Sequence, residues 1–363
     1  MYLSNIKAAN FKSYTEIEFA FCEKVNAIVG ENGSGKTNLL DAIHYLSFCK
    51  SYFTSHDSLS IRFDTDFFAI HGEFVDFEEH KTTPVSCTFK TSGRKVMKAN
   101  KKEYNLLSEH IGLFPLIMIS PYDNDIINEG SDVRRKFFDM IIAQFDKEYL
   151  RHLIAYQKLI TQRNVLLKQF IEQRNFNKDL LQIFDEQLVT PCNYIFQKRK
   201  EYIENVIPYF QKYYDFLSDS REQVNIEYES GLLRLTVEEG MQSNEAADCK
   251  SGYTNFGIHK DDFVFTIEGR SVKRFGSQGQ QKSFAIALKL SQFDYIYSRK
   301  KIKPILLLDD IFDKLDMKRI ARLLELVGSE QIGQVFISDT DEERVKNILE
   351  SYHIEHKIFN IIR

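Results

Sequence analysis

The chain has 363 residues, 43% of them hydrophobic and 28% charged, with a formal net charge of −4 at pH 7. That length holds one large core or two to three lobes, and the balance suits a globular protein rather than a fibrous or disordered one. It excludes a polycation, so a nucleic-acid role needs a local basic patch, and no apolar run approaches the roughly 18–20 residues of a membrane span.

The opening Met1-Tyr2-Leu3-Ser4-Asn5-Ile6-Lys7 lacks the charged-then-apolar layout of a signal peptide. The five cysteines (Cys22, Cys49, Cys87, Cys192, Cys249) form no C-x-x-C or Cys/His cluster. A zinc site and a disulfide framework are therefore unsupported, and a cytoplasmic location is expected. Six prolines argue against long unstructured linkers.

Residues 1–30 read as strand, turn, strand. Ile17-Glu18-Phe19-Ala20-Phe21 alternates, and Val25-Asn26-Ala27-Ile28-Val29 is a short buried strand. It runs into Gly30-Glu31-Asn32-Gly33-Ser34-Gly35-Lys36-Thr37, which fits G-x-x-x-x-G-K-[ST] at every position. Asn38-Leu39-Leu40-Asp41-Ala42-Ile43 then opens a helix. Strand, glycine-rich loop and helix together make a phosphate cradle. The glycines let backbone N–H groups crowd around phosphate oxygens, and the helix N-terminus adds donors and partial positive charge. Lys36 is placed to reach the β- and γ-phosphates of ATP, and the Thr37 hydroxyl to ligate Mg²⁺.

From about residue 60 to 120 the texture is β: Phe67–Val75, then Val85–Lys90. A basic turn region follows, in which Lys90, Arg94, Lys95, Lys98, Lys101 and Lys102 occur without an Asp or Glu. Lys95, Lys98 and Lys101 are the candidate DNA contacts, acting on phosphates and therefore salt-sensitive. A solvated basic hairpin would read the same way. Leu116-Ile117-Met118-Ile119 is a short buried strand stopped by Ser120-Pro121.

At Ser131 the period changes. Val133, Phe137 and Ile141, then Leu153, Tyr156 and Ile160, stand at helical spacing, and helical texture continues with breaks to about Leu217. Its heptads are too short for a long coiled-coil arm. Val224–Tyr228 and Leu232–Val237 look β-like, and residues 240–252 look like a polar loop. Ser277-Gln278-Gly279-Gln280-Gln281-Lys282 precedes a helix at Ser283–Leu290. Ile305–Leu308 and Val335–Ile337 are uninterrupted apolar runs, as in central parallel strands. An α/β domain thus starts, is interrupted by a largely helical lobe, and resumes.

The first of those late strands ends in Asp309-Asp310. A carboxylate pair at the C-terminal edge of such a strand faces the ligand crevice of an open sheet. Asp309 is the candidate Mg²⁺ holder, and Asp310, with Lys36, the candidate catalytic group that polarises an attacking water.

Two short stretches then resemble parts of an ABC-type ATPase. Phe312-Asp313-Lys314-Leu315-Asp316 resembles its D-loop. Ser277-Gln278-Gly279-Gln280 resembles the signature S-G-G-Q, with Gln278 in place of the first glycine. The resemblance implies that Ser277, Gly279 and Gln280 reach a γ-phosphate bound by a second subunit, although a plain N-cap serine looks the same. One phosphate loop and one signature per chain imply an ATP-dependent homodimer. Asn10-Phe11-Lys12-Ser13-Tyr14 resembles the N-F-[RK]-x-[YF] opening of SMC/RecF-type heads. Val133-Arg134-Arg135-Lys136-Phe137-Phe138-Asp139 is similar to V-R-R-x-F-[LF]-D of the RecF family. The run from Tyr156 to Lys168, with Gln162-Arg163-Asn164 inside it, is similar to Y-x-x-x-L-x-Q-R-N-x-L-L-K. Gly257-Ile258-His259-Lys260-Asp261-Asp262 is similar to G-P-H-R-D-D, with Ile and Lys substituted.

Resemblance to the RecF family implies an α/β fold: an ABC-type ATPase head, with a mixed sheet carrying the phosphate loop and an antiparallel β subdomain. The head is expected at residues 1–120 and 255–363, split by a mainly helical lobe at 121–254. It further implies an ATP- and Mg²⁺-dependent recombination mediator that binds duplex DNA or single-strand/double-strand junctions. Such a protein acts in single-strand gap repair, replication restart and SOS induction, with RecR and indirectly RecO and RecA. Transporter-type ATPases carry Glu where this chain has Asp310. The shorter side chain sets its oxygen about 1 Å further from an in-line water, which predicts slow hydrolysis: a weak, DNA-stimulated switch. The switch histidine is missing after Val335–Ile337, where Asp339 or Thr340 are the candidates to replace it, and no Q-loop glutamine stands near Ser120–Asp123. Arg134, Arg135 and Lys136 form a second basic cluster, suited to relaying ATP occupancy or to touching DNA. A transporter subunit is disfavoured by the helical insertion and Gln278. An ABC-type ATPase of a defence or nuclease system is the alternative.

Overall fold

The computed structural model describes residues 1–218, 222–312 and 316–362. In chain order the strands are β1 (Tyr2–Phe11), β2 (Tyr14–Ala20), β3 (Val25–Val29), β4 (Phe67–Val75), β5 (Thr82–Lys90), β6 (Val96–Ala99), β7 (Lys102–Glu103), β8 (Leu116–Ile119), β9 (Val224–Glu229), β10 (Asp262–Ile267), β11 (Arg270–Ser271), β12 (Ile305–Leu308), β13 (Val335–Asp339) and β14 (His356–Asn360). The α-helices are α1 (Lys36–Phe48), α2 (Asp125–Asn128), α3 (Ser131–Phe145), α4 (Lys147–Gln173), α5 (Lys178–Ser218), α6 (Val237–Ser251), α7 (Val272–Phe275), α8 (Gln278–Lys300), α9 (Met317–Gly328) and α10 (Glu342–Ser351). Two compact units emerge: Met1–Asp123 with Tyr213–Asp219 and Ile286–Arg363, and Asn124–Lys212 with Ser220–Ala285.

The first unit contains two sheets. One has the order β14-β3-β13-β12-β8 and is parallel throughout. Every residue of β3, β8, β12 and β13 is buried, which explains the unbroken apolar sequences of β8 and β12 and the predominantly apolar ones of β3 and β13. The other is antiparallel, in the order β2-β1-β4-β5-β6-β7. Along β4, Phe68, Ile70 and Phe74 point inward and His71 outward, so its sequence alternates. The basic stretch after Lys90 is a turn followed by β6 and β7, which extend this sheet. Helix α1, buried over most of its length, packs on both sheets.

The second unit is mainly helical and carries the three-stranded antiparallel sheet β11-β10-β9. One expectation is corrected here. The region expected as a polar loop at 240–252 is helix α6, and Leu232–Val237 is a single 3-10 turn followed by the α6 start. Thr236 begins the helix: its side chain accepts from the Glu239 N–H at 3.2 Å, and the Glu239 carboxylate accepts from the Thr236 N–H at 3.0 Å. This T-x-x-E capping box outweighs the strand-like alternation of Leu233, Leu235 and Val237. Val237 and Met241 then bury one face one turn apart.

Candidate functional site

Residues 30–35 form the loop between β3 and α1, and Lys36 and Thr37 are the first helical residues. Gly35 lies at φ 117°, and a Cβ there would sit 2.9 Å from the Tyr14 hydroxyl oxygen. That hydroxyl donates to the Gly35 carbonyl at 2.8 Å, so the β1–β2 hairpin braces the loop and only glycine fits beneath it. Ser13 Oγ accepts from Asn38 Nδ2 at 2.7 Å on the same side. Lys36 Nζ donates to the carbonyls of Gly30 and Glu31 at 2.9 and 3.1 Å. The Ser34 hydroxyl is buried and has no partner among the described residues. A buried, unsatisfied hydroxyl inside a glycine loop fits a site that takes a hydrogen-bonding ligand.

Strand order builds the rest. Because β13 lies between β3 and β12, the C-terminal ends of all three strands open onto one edge. This is the crevice position of an open parallel sheet. Asp309, at the end of β12, is buried and accepts from Thr37 Oγ1 at 2.9 Å through one oxygen and at 3.2 Å through the other. Burial raises its carboxyl above the usual range, and Asp310 adds to this. Hydrogen bonds from Ser338 and Thr37 and the charge of Lys36 oppose it. Asp310 is half-buried and takes the left-handed conformation, φ 44°. A cleft of about 540 Å³ is lined by Thr37, Asn32, Asn38, Asp309 and Asp310, and also by Lys12, Phe53 and Tyr122.

Two residues at or beside this cleft were not singled out as site residues by the sequence. Lys12 is tied to Asp41 at 2.6 Å. Ser338, fully buried, touches both aspartates. The signal for Ser338 is the parallel register that pairs Leu308 with Ile337, and so sets the next two residues side by side. Asp339 Oδ1 accepts from Arg344 and the Asp341 N–H at 2.6 and 2.7 Å, while its Oδ2 is buried with no partner among the described residues. Among the described residues no cluster of three or more His, Cys, Asp or Glu side chains forms a metal centre.

Ser277, Gly279 and Gln280 belong to the second unit, at the N-terminus of α8. Ser277 and Gln280 cap one another: the Ser277 hydroxyl accepts from the Gln280 N–H at 3.2 Å, and the Gln280 amide oxygen accepts from the Ser277 N–H at 2.7 Å. Of the D-loop-like stretch, residues 313–315 lie outside the described residues. Lys98 and Lys101 line a shallow cleft of about 380 Å³ on the antiparallel sheet, with Lys7, His71 and Glu73. Lys95 is not with them. It shares the inward face with Met97, its ammonium pairs with Asp57 at 2.7 Å, and it lies over the Tyr45 ring.

The chain matches the RecF/RecN/SMC N-terminal domain family over residues 2–360. It belongs to that family. The DNA replication and repair protein RecF of Flavobacterium johnsoniae is 46% identical over 361 residues, covering 99% of this chain and 100% of that one. A solved structure of the recombination mediator protein RecF-ATPrS in the RecFOR pathway superposes with a TM-score of 0.89 at 31% identity, covering 99% of this chain and 96% of that one. A second, of RecF-ATP, has a TM-score of 0.87 at 33% identity and covers 94% and 92%. The fold is therefore that of the ABC-type, SMC-like heads.

The RecF-like motifs meet inside the second unit. Arg134 forms a two-pronged pair with Asp262 at 2.7 and 2.9 Å, and Arg135 donates to the Asp261 carbonyl at 2.6 Å. Tyr156 bonds His259 at 2.6 Å. Arg163, fully buried, binds Asp185 and Asp248, and Asn164 accepts from Thr254. These side chains hold helices α3 and α4 to the β9–β10 sheet and α6. Arg134 and Arg135, both half-buried, are thus engaged internally.

Proposed function

We propose that the chain is an ATP-dependent, DNA-binding recombination mediator of the RecF type, acting in single-strand gap repair, replication restart and SOS induction with RecR and, indirectly, RecO and RecA. One observation carries the ATP-site reading: the phosphate loop and the paired aspartates, distant in sequence, converge with Thr37 Oγ1 2.9 Å from Asp309. The orphaned Ser34 hydroxyl and the two carbonyls that occupy Lys36 support a site whose donors await phosphate. A hydroxyl and a carboxylate in contact, both hard oxygen donors, fit Mg²⁺, which is held by one or two carboxylates plus substrate phosphates. Thr37 and Asp309 would hold it, and when bound it would neutralise charge on the triphosphate.

In this reading Gly30, Glu31, Asn32, Gly33, Ser34 and Gly35 wrap the phosphates. Lys36 leaves its two carbonyls to reach the terminal phosphates, a swap of neutral acceptors for charged ones that favours ligand. Asp310 orients water, and its short side chain keeps turnover slow. The Ser277 cap uses only an oxygen lone pair, which leaves its hydroxyl proton, with the Gly279 N–H, for a phosphate held by a second copy; Gln280, whose amide is held by Ser277 and Glu222, would have to leave Glu222 to join them. Lys98 and Lys101 offer cations to DNA phosphates without reading bases.

Sedimentation velocity with and without ATP, Mg²⁺ and DNA tests this. The wild-type chain should associate with itself when nucleotide is added, and Lys36→Met and Ser277→Arg should each abolish that. A wild-type chain that stays monomeric with saturating nucleotide and duplex refutes the dimeric switch.

A further inference from the structure

We infer that Ser338 is a positioning residue that sets the geometry of both aspartates, an inference that rests on reading the cleft as an ATP site. Its hydroxyl donates to Asp309 Oδ1 at 2.8 Å and accepts from the Asp310 N–H at 2.8 Å. The same oxygen lies 3.4 Å from Asp310 Oδ1. Ser338 is fully buried, and its backbone is paired in register with Ile28, just ahead of the phosphate loop. One rigid strand position therefore links the loop's strand to both carboxylates.

The chemistry is specific to a hydroxyl. A serine has one proton to give and lone pairs to accept with, and both capacities are used here. Thr37 Oγ1 favours the same Asp309 oxygen, at 2.9 Å against 3.2 Å for Oδ2. If Thr37 turned to a cation, Ser338 would be the one described side chain still holding Oδ1, and Oδ2 would be free for the ligand. The bond to the Asp310 N–H matters differently. Asp310 sits at φ 44°, a left-handed conformation that a non-glycine residue keeps only when its surroundings impose it. Without the Ser338 acceptor the peptide is free to relax, and the Asp310 carboxylate moves with it. Ser338 touches the two aspartates through hydrogen bonds rather than through packing that holds elements together, so the loss is one of aim rather than of fold.

Ser338→Ala and Ser338→Thr separate the possibilities in the full chain. The readouts are thermal unfolding, titration with a fluorescent ATP analogue at varied Mg²⁺, and steady-state ATP hydrolysis. In Ser338→Ala, nucleotide affinity without Mg²⁺ should stay within about twofold. The Mg²⁺ needed for half-maximal enhancement of binding should rise about fivefold, and kcat should fall about tenfold with KM little changed. Ser338→Thr, which keeps the hydroxyl, should restore both within about twofold. An alanine variant that keeps the wild-type Mg²⁺ dependence overturns the inference, and this binding readout decides alone should turnover fall below detection. A wild-type chain that binds no nucleotide instead removes the underlying ATP-site reading, and this inference with it.

Discussion

Replacing Arg163 by methionine should destabilise the helical unit while leaving nucleotide binding intact. The guanidinium is fully buried, as is the Asp248 carboxylate. It donates to Asp248 and Asp185 at 2.6 Å each and to Thr254 Oγ1 at 2.9 Å. Methionine fills a similar volume but leaves a buried carboxylate without its cation. Removing one member of a buried pair costs about 3–5 kcal/mol. Two features place this case at the lower end. Asp248 still accepts from the backbone and side-chain N–H groups of Asn255, both at 2.9 Å, and Asp185 is partly open to water. A loss of about 3 kcal/mol is therefore expected, which moves a urea midpoint by about 1–2 M. The assay is urea unfolding followed by far-UV circular dichroism. Arg163→Met/Asp248→Asn should recover about 1–2 kcal/mol of the loss, because the second change removes the stranded charge. Affinity for an ATP analogue should stay within about twofold, since the loop, Asp309 and Asp310 all belong to the other unit. A cost below about 1 kcal/mol with strictly additive mutants would refute the buried-pair account. An intact fold that loses nucleotide binding would make Arg163 functional rather than structural.

Three further outcomes are expected. Lys98→Glu with Lys101→Glu should weaken DNA binding and flatten its salt slope by about one for each DNA phosphate left unneutralised, as read from isotherms at several salt concentrations, whereas Lys95→Gln should lower the melting temperature and spare DNA affinity. Burial pushes His44, His110 and His259 down to about 4. The unfolded chain then binds more protons between about pH 6.5 and 4, so stability is full above that window and is lost as pH falls through it, by about 2 kcal/mol per histidine at pH 5. Denaturant titrations at pH 7.5 and 5 check this, and His110→Phe should reduce the pH slope. Thr236→Ala should cost about 1 kcal/mol through loss of the α6 cap, measured by the same titrations; no change would mean that tertiary packing alone sets that helix start.

Legibility followed the range of the interaction. The phosphate loop, the strand before it and the helix after it are neighbours in sequence, so their pattern was readable directly. The same holds for β8 and β12, where burial on both faces leaves a continuous apolar run. The start of α6 was readable too, from Thr236 and Glu239, but the alternation of Leu233, Leu235 and Val237 masked it. Lys95, Lys98 and Lys101 form one cluster on paper. Lys95, just before β6, turns to Asp57 on the side of Met97, and alternation along β6 leaves Lys98 outside.

By itself the sequence determined the local pattern: which glycine-rich loop joins a strand to a helix, which strand ends in carboxylates, and that a helix follows the Ser277 stretch, although it begins at Gln278 rather than at Ser283. Only the tertiary structure decided that β13 lies between β3 and β12. Strand order is set by packing among distant segments, and nothing in a short run of residues encodes its neighbour in a sheet. That order brings Ser338 against Asp309 and Asp310 and lets Thr37 reach across to the same carboxylate.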